Sequence, residues 1–147
     1  GGQEVTPQVD WSTLAAAGYT TGNGLVPVAL HADARPVMGT TINLITDNVP
    51  LNSPFMGVLY GLQKFDPGVP LASLGMAGCF QYASNDTVRL ILAPSSPQAS
   101  DAFAVPNIPA FAGVAVKAQS AVYNPGAIET LLGAATSNGV ELVLDLN

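Results

Sequence analysis

Ionic side chains are scarce: 10% of the 147 residues are charged, where an average soluble chain carries about a quarter. Three glutamates, two lysines and two arginines cannot clothe long solvated helices, whose surfaces are built largely from those residue types. A predominantly helical fold is excluded. Four cations against ten carboxylates, a net charge of −6, argue against a nucleic-acid partner, which needs a basic stripe to neutralise its phosphates. Anionic membrane surfaces are disfavoured for the same reason. Membrane insertion is not expected either. The longest uncharged stretch, Trp11 to Ala32, is broken by Thr20, Thr21, Asn23 and Pro27, whereas a spanning helix needs about 20 predominantly apolar residues.

Cysteine and histidine occur once each, as Cys79 and His31. No internal disulfide can form, zinc lacks its usual ligands, and Cys79 is expected to serve as a small buried hydrophobe. A nucleophilic site would have to use His31, at the end of an apolar run and without a Gly-x-Ser-x-Gly elbow in the chain. Glu141 and Asp145 share a parity, but four residues at about 3.3 Å set them roughly 13 Å apart, beyond the about 5–9.5 Å of glycosidase carboxylate pairs. The chain reads as a non-enzyme that needs no cofactor. One metal stays open. The carboxylates Asp47, Asp66, Asp86 and Asp101 stand in predicted loops and could converge on a structural calcium ion, although no Asp-x-Asp-x-Asp-Gly loop is present.

What the chain does have is 48% hydrophobic residues in short β-favouring runs, punctuated by 15 glycines and 12 prolines. This is the spacing of an all-β sandwich or barrel. Strands are predicted near Leu25–His31, Thr40–Thr46, Phe55–Gln63, Cys79–Ala83, Thr87–Ala93, Gly113–Tyr123 and Val140–Leu146. Period-two alternation sets Val140, Leu142, Leu144 and Leu146 on one face against Glu141, Val143 and Asp145. It likewise sets Val114, Val116, Ala118 and Val122 against Lys117 and Gln119, and Val88, Leu90 and Leu92 against Arg89. Half-buried antiparallel strands produce such alternation. The expected fold is an antiparallel β-sandwich of about seven to nine strands, Greek-key or jelly-roll-like, over residues 35–147. Residues 1–34 are expected to form an N-terminal arm carrying an edge strand and a short helix over Trp11–Ala17 capped by Asp10. Asp66-Pro67-Gly68 and Ser84-Asn85-Asp86 read as tight connections, and Pro106–Phe111 as a helical turn.

From Arg35 onward a set of short motifs follows in order. These are Arg35-Pro36-Val37-Met38-Gly39, Asn52-Ser53-Pro54-Phe55, Leu74-Gly75-Met76-Ala77-Gly78-Cys79, Val105-Pro106-Asn107-Ile108-Pro109-Ala110-Phe111-Ala112-Gly113 and Ala135-Thr136-Ser137-Asn138-Gly139-Val140-Glu141-Leu142. Their order and spacing resemble a module of exported bacterial proteins, often placed at the C-terminus of larger secreted chains and without an assigned activity. The resemblance implies a secreted β-sandwich and brings no functional residues with it. In similar modules the cysteine after the glycine often has an upstream partner, which Cys79 lacks.

A soluble monomer usually displays a surface that is about 25–35% charged. Here the outward strand positions are instead Ala, Thr, Ser, Gln, Asn, Val and Ile, faces suited to burial against copies of the same protein. The leading expectation is therefore an extracellular or cell-surface structural subunit that self-assembles into a filament or layer. The run Leu25, Val26, Val28 and Leu30, interrupted by Pro27, is the candidate assembling strand, adding to a neighbour's sheet by β-augmentation. The other reading is a carbohydrate- or surface-binding accessory module. For it Tyr123, with the outward parity of Lys117 and Gln119, is the candidate platform.

Overall fold

The computed structural model describes residues 9–10, 18–21, 24–76, 79–128, 130 and 132–146. The architecture is all-β and sandwich-like, in antiparallel sheets. One large sheet contains β1 (Val9–Asp10), β6 (Phe55–Gly61), β9 (Thr87–Leu92), β11 (Ala115–Tyr123), β12 (Ala134–Thr136) and β13 (Val140–Val143). Its order is β1–β13–β11–β6–β9, and β12 also pairs with β11. A second sheet, in the order β10–β5–β4, contains β4 (Ala29–Ala32), β5 (Thr41–Asp47) and β10 (Gln98–Ala104). Two further pairs are β2 (Gly18–Thr21) with β3 (Gly24–Pro27), and β7 (Lys64–Pro70) with β8 (Phe80–Ala83). The predicted helix over Trp11–Ala17 lies outside the described residues.

Each strand pairing is between neighbours that share a face when opposite. Met56, Val58 and Tyr60 of β6 oppose Val122, Ser120 and Ala118 of β11. Ile42, Leu44 and Thr46 of β5 oppose Phe103, Asp101 and Ala99 of β10, and Leu44 and Thr46 also oppose Ala32 and Leu30 of β4. These two faces pack against each other around Leu30, Ile42, Leu44, Met56, Val58 and Val122, all nearly or fully buried. Cys79 is free and buried in the same core.

The thirteen strands among the described residues exceed the seven to nine expected. Asp66-Pro67-Gly68 is not a turn but the middle of β7, where a shift of register against β8 absorbs the extra residues. Ser84-Asn85-Asp86 does not join a hairpin either, because β8 pairs with β7 and β9 with β6. The alternation of β13 holds through Leu144, while Leu146 is exposed. Gln119 departs most from its outward expectation: it is buried. Its side chain lies on the face of β11 opposite to the sandwich core, and there it clasps β8. Gly61 belongs to the same contact, since a Cβ at that position would fall on the hydroxyl and carbonyl oxygens of Ser84.

Strand β4 ends the second sheet, yet its outer edge is closed. The Asn138 amide oxygen accepts a hydrogen bond from Leu30 N at 2.8 Å, and its Nδ2 donates to Leu30 O at 3.1 Å. A buried side chain therefore stands in for a neighbouring strand. Asn138→Ala leaves the Leu30 donor and acceptor without these partners, and unsatisfied buried groups cost about 1–3 kcal/mol each. A loss of about 3 kcal/mol of stability is expected in urea unfolding.

Candidate functional site

Strand β9 lies at the end of the large sheet and has a partner, β6, on one side. The sequence places Val88, Leu90 and Leu92 in the core, but the structure turns them out. They are 53%, 63% and 71% exposed. Their parity is that of Leu59, Gly57 and Phe55, on the face of β6 turned away from the second sheet. On the other face Ile91 packs against the core, while Thr87 and Arg89 are exposed.

The backbone of the same residues also faces outward. Hydrogen bonding alternates from side to side along a strand. Ser120 O accepts from Ser137 N and Val114 O from Leu144 N, so the even residues of β11 turn their backbone groups away from β6. The registers of β11 on β6 and of β6 on β9 then direct the odd residues of β9 at β6, in line with Ala93 N donating to Pro54 O. Val88, Leu90 and Leu92 are left presenting both their N–H and C=O groups and their apolar side chains at the open side. Natural edges are usually blunted by lysines, prolines or bulges. Within β9 the one charge is Arg89, whose parity puts it on the opposite face.

Beside this edge lies a polar cluster between the sheets. Asp101 of β10 is 5% exposed, and its Oδ2 accepts a hydrogen bond from the Tyr60 hydroxyl at 2.5 Å. Its Oδ1 stands 3.4 Å from Arg89 Nη2. Tyr60 in turn stacks on Phe103, with ring centroids 5.3 Å apart. Burial, reinforced by the bond to Asp101 and by its charge, holds the Tyr60 phenol far above its ordinary range, so it is a hydrogen-bond donor at any physiological pH.

The other residues singled out by the sequence are dispersed. Val28 and Leu30 are buried in the core of their own chain, and Leu25 and Val26 lie in β3, paired with Thr20 and Tyr19 of β2. The run expected to reach a neighbour is thus split between β3, paired with β2, and β4, which pairs with β5 and meets Asn138 at Leu30. Tyr123 is half-buried and stacks on Phe55 at 4.9 Å, so one of its ring faces is occupied. His31 Nδ1 lies 2.9 Å from Asp47 on the outer side of the second sheet. Glu141 faces Lys117 at 3.4 Å, and Asp145 pairs with Arg35. Of the carboxylates offered to calcium, Asp47 accepts from Gln98, Asp86 from Leu62 N and Ser84, and Asp101 from Tyr60. The side chain of Asp66 lies outside the described part of the structure. Among the described residues no three histidine, cysteine or acidic side chains gather as a metal site. Sequence reasoning missed the Tyr60–Asp101–Arg89 cluster because its members come from three strands; the signal that remained was a lone aspartate within an otherwise uncharged run.

Compared with known proteins, the chain matches no protein-family model, no curated protein and no solved structure.

Proposed function

We propose that this chain is a non-catalytic structural subunit, exported and assembling with copies of itself, and that the first contact is made edge to edge through β9. One observation carries the reading: Val88, Leu90 and Leu92 expose apolar side chains and free backbone groups together, on a strand with no lysine, proline or bulge between Thr87 and Leu92. The neighbouring open edge, β10, carries Gln98, Ser100, Ala102 and Ala104 at its exposed positions and has little apolar area to bury. Edge β4 is closed by Asn138.

The sequence of β9, Thr-Val-Arg-Leu-Ile-Leu, selects one antiparallel register with itself. Residues of like parity must stand opposite to keep the apolar face continuous. A two-fold axis at Arg89 would oppose like charges, which is destabilising. An axis at Ile91 would set Val88 against Pro94, which has no N–H to give. With the axis at Leu90, Val88 meets Leu92 of the second copy and Leu90 meets itself. Each of these pairs exchanges both backbone hydrogen bonds. The result is an isologous, closed pair, the unit from which a filament or layer would be built.

The test combines sedimentation with cross-linking. The chain is expected to pass from single copies to pairs as concentration rises. Under oxidation Leu90→Cys is expected to form a symmetric disulfide, because opposed residues of a hydrogen-bonded pair lie about 5.5 Å apart, within the about 4.4–6.8 Å that a disulfide spans. Native Cys79 is buried and does not compete. Single particles at high concentration would end the assembly reading. Pairs that form while the thiol introduced at position 90 stays reduced would end the register alone.

A further inference from the structure

The two open edges, β9 and β10, flank a cleft of about 290 Å³ lined by Tyr60, Thr87, Arg89, Asp101 and Phe103. A second cleft of about 320 Å³ adjoins it, sharing Tyr60 and Thr87 and reaching Asp86 and Val116. The cost of Asp101 is hard to explain by stability. It projects from the inner face of the second sheet between Ala99 and Phe103 and opposite Leu44, where an apolar side chain would avoid the desolvation of a carboxylate. Its ion pair with Arg89 is also slack. At 3.4 Å it exceeds the about 2.7–2.9 Å of a charge-assisted hydrogen bond, and Arg89 is 57% exposed. A carboxylate has about four acceptor sites and a guanidinium five N–H groups, and both border the same gap.

The geometry points to a neutral, polyhydroxylated chain, an oligosaccharide of at least two units, as the ligand of this paired cleft. A hydroxyl group can donate to Asp101 while it accepts from Arg89, and two adjacent hydroxyls can satisfy both side chains. Asp101 and Arg89 sum to zero charge and Asp86 of the adjoining cleft adds a negative one, so an anion gains nothing by entering. Phe103, half-buried and backed by the buried Tyr60 ring, supplies an apolar wall for the C–H face of a pyranose ring. The adjoining cleft, past the start of β9 at Asp86 and Thr87, has room for the next unit. This site stands on the inner side of β9 and is present in the single chain, whereas the edge pairing rests on the outer apolar face and sets Ile91 of the second copy opposite Arg89.

Nuclear magnetic resonance titration of the full chain tests this, with cellohexaose, chitohexaose, mannohexaose and maltohexaose as neutral probes and hexagalacturonate as the charged control. At least one neutral hexasaccharide is expected to give saturable shifts at Tyr60, Thr87, Arg89 and Phe103. Asp101→Asn, and independently Arg89→Met at the exposed partner, are each expected to weaken that binding by roughly tenfold or more, the effect of a lost charged hydrogen bond. The inference is overturned if no neutral probe shifts these residues at millimolar concentration. It is equally overturned if hexagalacturonate binds as tightly, or if a folded Arg89→Met chain binds its sugar unchanged.

Discussion

Gln119→Leu is expected to remove about 4 kcal/mol of stability, a large part of the roughly 5–15 kcal/mol typical of a domain. The side chain is 1% exposed and uses its whole hydrogen-bonding capacity. Its Oε1 accepts from Tyr82 N at 2.8 Å and Ala83 N at 3.3 Å, and its Nε2 donates to Phe80 O and Ser137 O, both at 2.8 Å. Strand β8 pairs with β7 on one edge; the amide of Gln119 completes its backbone on the other and ties it to β11 and to the segment before β13. Leucine has nearly the right volume but leaves Tyr82 N and Ser137 O without these partners in a buried place, at about 1–3 kcal/mol each, in addition to the lost bonds. Gln119→Glu is expected to fail as well, since a carboxylate cannot donate to two carbonyls. For a chain of this size the fall corresponds to a melting temperature lower by about 10–15 °C. Calorimetry that places Gln119→Leu within a degree or two of the native chain would refute this account of how β8 is held.

Leu90→Lys is expected to abolish self-association while leaving the fold intact. In the proposed pair position 90 sits on the two-fold axis, so a single substitution acts twice. It removes two leucines from the interface, each worth about 1.5–3 kcal/mol when fully buried, and sets two ammonium groups against each other across a pair spaced about 5.5 Å. A loss of about 4 kcal/mol weakens association by roughly a thousandfold. Leu90 is 63% exposed in the single chain, so folding stability should change by no more than about 0.5 kcal/mol. Sedimentation velocity and thermal unfolding of the variant read the two quantities separately. If Leu90→Lys pairs as strongly as the native chain, β9 is not the contact.

Both substitutions concern one property, the treatment of strand edges. Several strands lie at sheet edges, β1, β2, β3, β7 and β10 among them, and so do β4 and β9, while β8 has a strand partner on one side alone. Two of them are finished by buried amides, Asn138 on Leu30 and Gln119 on Phe80, Tyr82 and Ala83. No comparable side chain meets β9 among the described residues. The contrast between the sealed edges of β4 and β8 and the apolar open edge of β9 argues for a contact surface, because the same chain shows how an edge is sealed.

Much of this was legible in advance. The scarcity of Glu, Lys and Arg ruled out solvated helices, and alternation along Val140–Leu144 and at Ala118 and Val122 marked residues that are indeed fully or almost fully buried. Cys79 behaves as the small buried hydrophobe its isolation suggested. The same alternation misled at β9, since a period of two says that Val88, Leu90 and Leu92 share a face without saying which face is covered. It misled again at Gln119, whose polarity reads as solvent exposure unless β8 is known to cross above it.

The chain's own composition and periodicity thus determined that it forms antiparallel β-structure and which residues travel together on a strand face. These properties arise from each residue and its nearest neighbours along the chain. That the edges of β4 and β8 are closed and that of β9 open, and where Asp101 meets Tyr60 and Arg89, were decided by tertiary structure alone. The deciding contacts join residues as far apart as Leu30 and Asn138, 108 positions along the chain, and no local preference encodes a hydrogen bond over that distance.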